Sequence, residues 1–176
     1  MTKDMGDDPI AARLGRLQRW LAKKRPNYAR QLPPGASDAD LAQLEKQLGK
    51  PLPPELRSLL AWHNGQGDGF IGAFEEDWLL LSAQDIAANK NDLEHDSGAG
   101  WDGDWIPLLA NDAGDFLFLD TSQASRPVRH FSLGQTEHSI AAPSLAAWLR
   151  DFVENVERGH YVEDPERGRF LRQHAV

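Results

Sequence analysis

Trp105-Ile106-Pro107-Leu108-Leu109-Ala110-Asn111-Asp112-Ala113-Gly114-Asp115-Phe116-Leu117-Phe118-Leu119-Asp120 is the stretch whose reading decides the fold. Two apolar runs flank a short segment rich in Asn, Asp and Gly, the pattern of two antiparallel strands joined by a tight connection. Pro107 inside the first run has no N–H to give a ladder, so it marks an edge or a bulge. Working outward, Phe70–Phe74 and Trp78–Leu81 read as short strands joined by the acidic turn Glu75-Glu76-Asp77, and Val128–Leu133 and His138–Ala142 as two more.

Helical signals surround these strands. Asp8 and Pro9 open a first helix to about Arg25, with Ile10, Leu14, Leu17 and Leu21 on one face. Asn27 to Ala36 reads as a loop. Ser37 with Asp40, and Ser82 with Asp85, are capping boxes that start helices ending near Gly49 and Leu93. Pro54 to about His63 is a short helix stopped at Asn64-Gly65. A last helix, Pro143 to Arg158, buries Leu145, Trp148, Leu149, Phe152, Val153 and Val156, and the polar residues after it read as a loosely packed tail. The elements do not alternate as βαβ units, so the expected class is α+β, a mostly antiparallel or mixed central sheet flanked by helices in a single domain. The expected divisions are a basic N-terminal helix and linker (1–31), the domain itself (32–158) and a C-terminal tail (159–176).

The chain has 176 residues and a formal charge of −8, without cysteine. That length can bury roughly 70% of the unfolded surface without cross-links. The missing cysteines exclude disulfides, thiol nucleophiles and Cys-type metal sites. No apolar run reaches the roughly 20 residues of a membrane span, and the acidic start lacks signal-peptide order, so a cytoplasmic protein without membrane partners is expected. Charge is unevenly placed. Residues 1–30 carry eight Lys/Arg and three Asp/Glu, whereas 68–120 carry thirteen acids and one base, Lys90. The acidic stretch repels nucleic acid and attracts a cationic partner. The basic first helix lacks interleaved aromatics, so no nucleic-acid partner is expected.

Motifs for chemistry are weak. Gly65–Gly69 lacks the context of a phosphate loop. Asp92, Glu94 and Asp96 begin like a calcium loop, but Ser97 and Gly103 stand where its glycine and closing glutamate belong. Asp102, Asp104, Asp112 and Asp115 could gather round a divalent ion only if the fold brought their loops together, which leaves a metal-assisted hydrolase as an alternative. The histidines and serines form no catalytic motif, so no catalytic residue, metal or cofactor is assigned. Trp101 lies in a Gly-Asp loop with few apolar sequence neighbours and reads as an interface anchor.

The ordered set Leu32-Pro33-Pro34-Gly35-Ala36-Ser37, Leu44-Glu45, Leu48-Gly49, Leu52-Pro53-Pro54-Glu55-Leu56 and His63-Asn64-Gly65 resembles the N-terminal signature of the SUKH superfamily, typified by fungal Smi/Knr cell-wall-assembly regulators. Trp105–Leu108, Asp112, Gly114–Asp120 and the Ser144–Phe152 helix resemble its later signatures. The resemblance implies an α+β fold without established catalytic residues. It also implies either an immunity-type role, binding and neutralising a bacterial toxin, or a regulatory scaffold in cell-wall synthesis. Combined with the charge pattern, it points to a basic toxin as partner and to Glu75, Glu76, Asp77, Trp101, Asp102 and Asp104 as contacts.

Overall fold

The computed structural model describes residues 9–67, 72–96 and 98–173. The expected Asp8 cap, the Phe70 and Ile71 part of a strand, and Asp68, Gly69 and Ser97 lie outside the described residues; Gly72 to Phe74 are irregular.

Six helices are present among the described residues: α1 (Pro9–Lys24), α2 (Pro26–Gln31), α3 (Asp38–Leu48), α4 (Pro54–Trp62), α5 (Ala83–His95) and α6 (Leu145–Glu157). Five strands, β1 (Leu79–Leu80), β2 (Trp105–Ala110), β3 (Phe116–Asp120), β4 (Val128–Phe131) and β5 (Ile140–Ala142), form one antiparallel sheet in chain order. A separate hairpin pairs β6 (Tyr161–Asp164) with β7 (Arg169–Arg172). The fold is α+β and a single domain. Both expected capping boxes are complete, at Ser37–Asp40 and Ser82–Asp85. Pro107 sits at a bulge: it faces Phe118 while Leu109 faces Leu117, so Leu108 is the extra residue. The two-residue β1 pairs with Leu109 and Ala110, so its ladder stops short of Pro107.

The centre of the sheet is buried on both faces, and β3 shows why. Leu117 and Leu119 point into the main core with Leu149, Val153 and the α1 leucines, whereas Phe116 and Phe118 point the other way onto Phe131, Ala99, Trp101 and Trp105. Period-2 alternation therefore feeds two cores rather than one core and solvent.

Two further expectations fail. The Asn27–Ala36 loop begins with a helix, α2, because Pro26 occupies its first turn, where a missing N–H does no harm, and Tyr28 turns into the core at 3% exposure. The tail is not loosely packed: Tyr161 and Phe170 of its hairpin are buried and stack at 5.0 Å. The first helix shares the main core through Ile10, Leu14, Leu17 and Leu21. Arg25 joins both ends of the chain. Its guanidinium lies 4.1 Å from the Tyr28 ring centre and 4.2 Å from that of Phe170, pairs with Glu163 and donates to the Ala73 carbonyl.

Candidate functional site

α5 determines where the acidic residues go. Its cap at Ser82 starts it cleanly, and it continues two residues beyond the expected end, to His95. Asp92 and Glu94 are thus helical, which removes the calcium-loop reading, and Asp96 is the C-cap residue. The loop that follows is tied back to the helix by Lys90. This lysine, the one base of the 68–120 stretch, is 5% exposed; it pairs with Glu94 and donates to the carbonyls of Gly103 (2.7 Å) and Trp105 (3.2 Å). Its charge is spent inside the fold rather than on the surface.

The loop carries Asp102 and Asp104, both exposed. Asp102 accepts the Asp104 N–H at 2.8 Å, a local turn bond, and Asp104 accepts from Lys50 Nζ at 3.0 Å. Asp92, Glu94 and Asp96 therefore lie at the C-terminal end of α5, with Asp102 and Asp104 on the loop that Lys90 ties back to it. The aligned peptide dipoles leave about half a negative charge there, where cations are the stabilising choice. Beside this end runs a groove of about 450 Å³ between α3 and α5, lined by Gln43, Gln47, Gln84, Asn91 and the Leu48 side chain.

Trp101 departs from expectation. It does not stand free among aspartates but packs edge-on against Phe131 (5.0 Å), Phe118 (5.3 Å) and Trp105 (5.5 Å), half-buried as a lid on the second core. Its apolar neighbours come from β2, β3 and β4, invisible in the local sequence. Its indole N–H is buried without a hydrogen-bond partner.

The remaining expected contacts lie elsewhere. Asp77 accepts from Asn111 Nδ2 at 3.3 Å, at the far end of β2 from Asp104. At roughly 3.3 Å per residue that strand separates the two groups by roughly 20 Å. Glu75 is turned inward, accepting from the Tyr161 hydroxyl at 2.7 Å, and burial pushes its carboxyl up to about 7. Glu76 accepts the Arg172 N–H at 3.1 Å. The structure thus brings Trp101, Asp102 and Asp104 together and places Glu75, Glu76 and Asp77 at a second location. The same separation parts Asp102 and Asp104 from Asp112 and Asp115, which flank the β2–β3 turn. Among the described residues no three His, Asp or Glu side chains are grouped to hold a metal ion, so the metal-assisted alternative loses its constellation.

A family model for SMI1 / KNR4 proteins matches residues 35–151, more than half of the chain. The chain belongs to the SMI1 / KNR4 family (SUKH-1). No curated protein matches it. Within the SUKH-1 match, the motif glycines have visible jobs. A Cβ on Gly35 would lie 1.9 Å from the Ala61 carbonyl oxygen, and one on Gly65, at φ +70°, would lie 2.4 Å from the Ser82 nitrogen. Asp120 is buried and accepts from Ser122 N, Gln123 Nε2 and Arg129 Nε. These residues hold the SUKH-1 fold together. The acidic end also lies within the match, on α5 and its following loop. No helix among the described residues is long and apolar enough to cross a membrane.

Proposed function

We propose that this SUKH-1 chain is an immunity-type protein that binds and neutralises a basic toxin through the acidic end built from α5 and the 98–104 loop. The observation that carries the reading is the placement of Asp92, Glu94 and Asp96 at the negative end of a helix. Asp102 and Asp104 lie beside them, and the nearest lysine of the same stretch is buried. Lys90 answers Glu94 and Lys50 answers Asp104, which leaves a surplus of negative charge at this end. A cationic partner relieves it, and the resulting field speeds association. Toxins that act on nucleic acid carry positive clefts, which such a surface would cap. The groove between α3 and α5 would receive a partner side chain beside the charges. Glu76 and Asp77, at the opposite end of β2, form the alternative contact.

The test is tagged capture of the toxin from lysate by the wild-type chain and by Asp102→Asn/Asp104→Asn, eluted in a salt gradient, followed by co-expression of the captured protein with each form. Support is one basic protein held by the wild type, released at moderate salt, toxic alone and silenced by the wild type better than by the variant. A toxin bound and silenced equally by both forms, independently of salt, would refute this surface. Repeating the assay with Glu76→Gln/Asp77→Asn then locates the interface.

A further inference from the structure

We propose that the β6–β7 hairpin is a proton-dependent clasp, closing on the Phe74–Trp78 turn when the Glu75 carboxyl is protonated and loosening when it is ionised. The hairpin and the turn are joined by reciprocal backbone bonds, Glu76 N to Phe170 O at 2.8 Å and Phe170 N to Glu76 O at 2.9 Å. The turn is itself strained, since Glu76 adopts φ +53°, a conformation that non-glycine residues rarely take. It is closed from within by Phe74 N–H to Trp78 O and Trp78 N–H to Glu75 O, both 2.8 Å, and braced from outside by the hairpin. Glu75 lies in the seam between the two, with its Oε1 against the Tyr161 hydroxyl.

The groups facing Glu75 decide the sign. From its own turn come Glu76 and Asp77, both anionic and unfavourable to a second charge. From β6 comes Tyr161, a neutral donor whose own ionisation is pushed far up by burial and by Glu75. From β7 comes Arg172, the one cation facing it among the described residues, whose guanidinium already donates to Asp151 of α6 at 3.1 Å. One neutral donor and a shared cation do not outweigh burial and two like charges. The closed seam therefore prefers the neutral acid, with a value of about 7, whereas an opened hairpin exposes Glu75 to water, where its ordinary value of 4.5 applies. Closure binds a proton, so opening becomes easier as pH rises between those values.

The experiment is hydrogen exchange by mass spectrometry on the full chain, following peptides over residues 73–78 and 161–172, with each rate divided by its intrinsic rate at that pH and α6 as internal control. The opening constant of both peptides is expected to rise about 10-fold per pH unit from about pH 4.5 to about pH 7 and then level off, about 300-fold in all, while α6 stays flat. In Glu75→Gln the rise should vanish. A flat wild type, or a Glu75→Gln protein that follows the wild-type curve, would overturn the clasp. Tyr161→Phe is the second variant: it keeps the carboxyl and removes its donor, so the midpoint must move upward. An unmoved midpoint overturns the assignment to Glu75 even if Glu75→Gln does not fold.

Discussion

Neutralising the acidic end of α5 should make the free protein more stable and its complex weaker. Asp92 lies in the last turn of the helix and Asp96 caps it, both exposed, so each sits where the helix dipole opposes it. A charge so placed is worth about 0.3–1 kcal/mol at low ionic strength. Asparagine is the right replacement. Its helix propensity is close to that of aspartate, and its amide oxygen can still accept the Gly98 N–H that Asp96 now accepts and the Asp104 N–H that Asp102 now accepts. The triple variant Asp92→Asn/Asp96→Asn/Asp102→Asn should therefore gain about 1–2 kcal/mol, less than a strict sum because the three sites are neighbours. For a chain of this size that raises Tm by about 2–8 °C. Calorimetry at low salt reads the gain directly. In about 1 M salt, where the Debye length is about 3 Å, most of it should disappear. An unchanged or lowered Tm at low salt, or a gain that persists in high salt, would show that the acids are not in conflict with the fold. The argument for a partner-binding surface would then lose its footing. Stabilisation without loss of toxin binding would refute it from the other side.

Further outcomes follow from individual contacts. Because Glu75 titrates higher in the fold than in the unfolded chain, its contribution is fully present below about pH 4.5 and is lost as pH rises through about 7. Urea unfolding should therefore show about 1–3 kcal/mol less stability at pH 8 than at pH 5 from this group, and Glu75→Gln should erase that difference. Arg25→Ala should cost about 2–4 kcal/mol by the same assay, since it removes a buried cation stacked between Tyr28 and Phe170. The Glu163 it leaves behind is half exposed, which keeps the loss below that of a fully buried pair. Gly65→Ala should cost about 3 kcal/mol or more, because its Cβ meets the Ser82 backbone. Gly49→Ala, at the same φ in open space, should cost about 1 kcal/mol in thermal melts.

Local chemistry made much of this fold readable. Ser37 with Asp40 and Ser82 with Asp85 declare their helices because a capping box is complete within four residues. The β2–β3 hairpin declares itself in the same way, and Pro107 announced the bulge. What escaped depends on residues far apart in the chain. The C-terminal hairpin offers only Tyr161 and Phe170 as large buried residues, and each has meaning only beside Phe152, Trp20 and Arg25. The one local hint was Asp164-Pro165 followed by Gly168, a turn signal within a polar run. The packing of Trp101 escaped for the same reason: its partners Phe118 and Phe131 are contributed by other strands.

The candidate surface shows where reading charge along a chain stops. A tally over 68–120 counts Glu75, Asp85, Asp120 and Lys90 equally with the rest, yet Glu75 faces a tyrosine, Asp85 caps a helix, Asp120 ties a loop to Arg129 and Lys90 is buried. Each is explained by the fold. Asp92, Glu94 and Asp96 also sit at a regular element, but at the end where that element repels them, and among the described residues only Glu94 of the three has a cation to answer it. Under the proposed function, the acids whose charge the fold leaves unanswered, Asp92 and Asp96, are the ones left for a partner. On that reading, a residue that local rules place badly, on a helix that obeys those rules everywhere else, is a mark of function rather than folding.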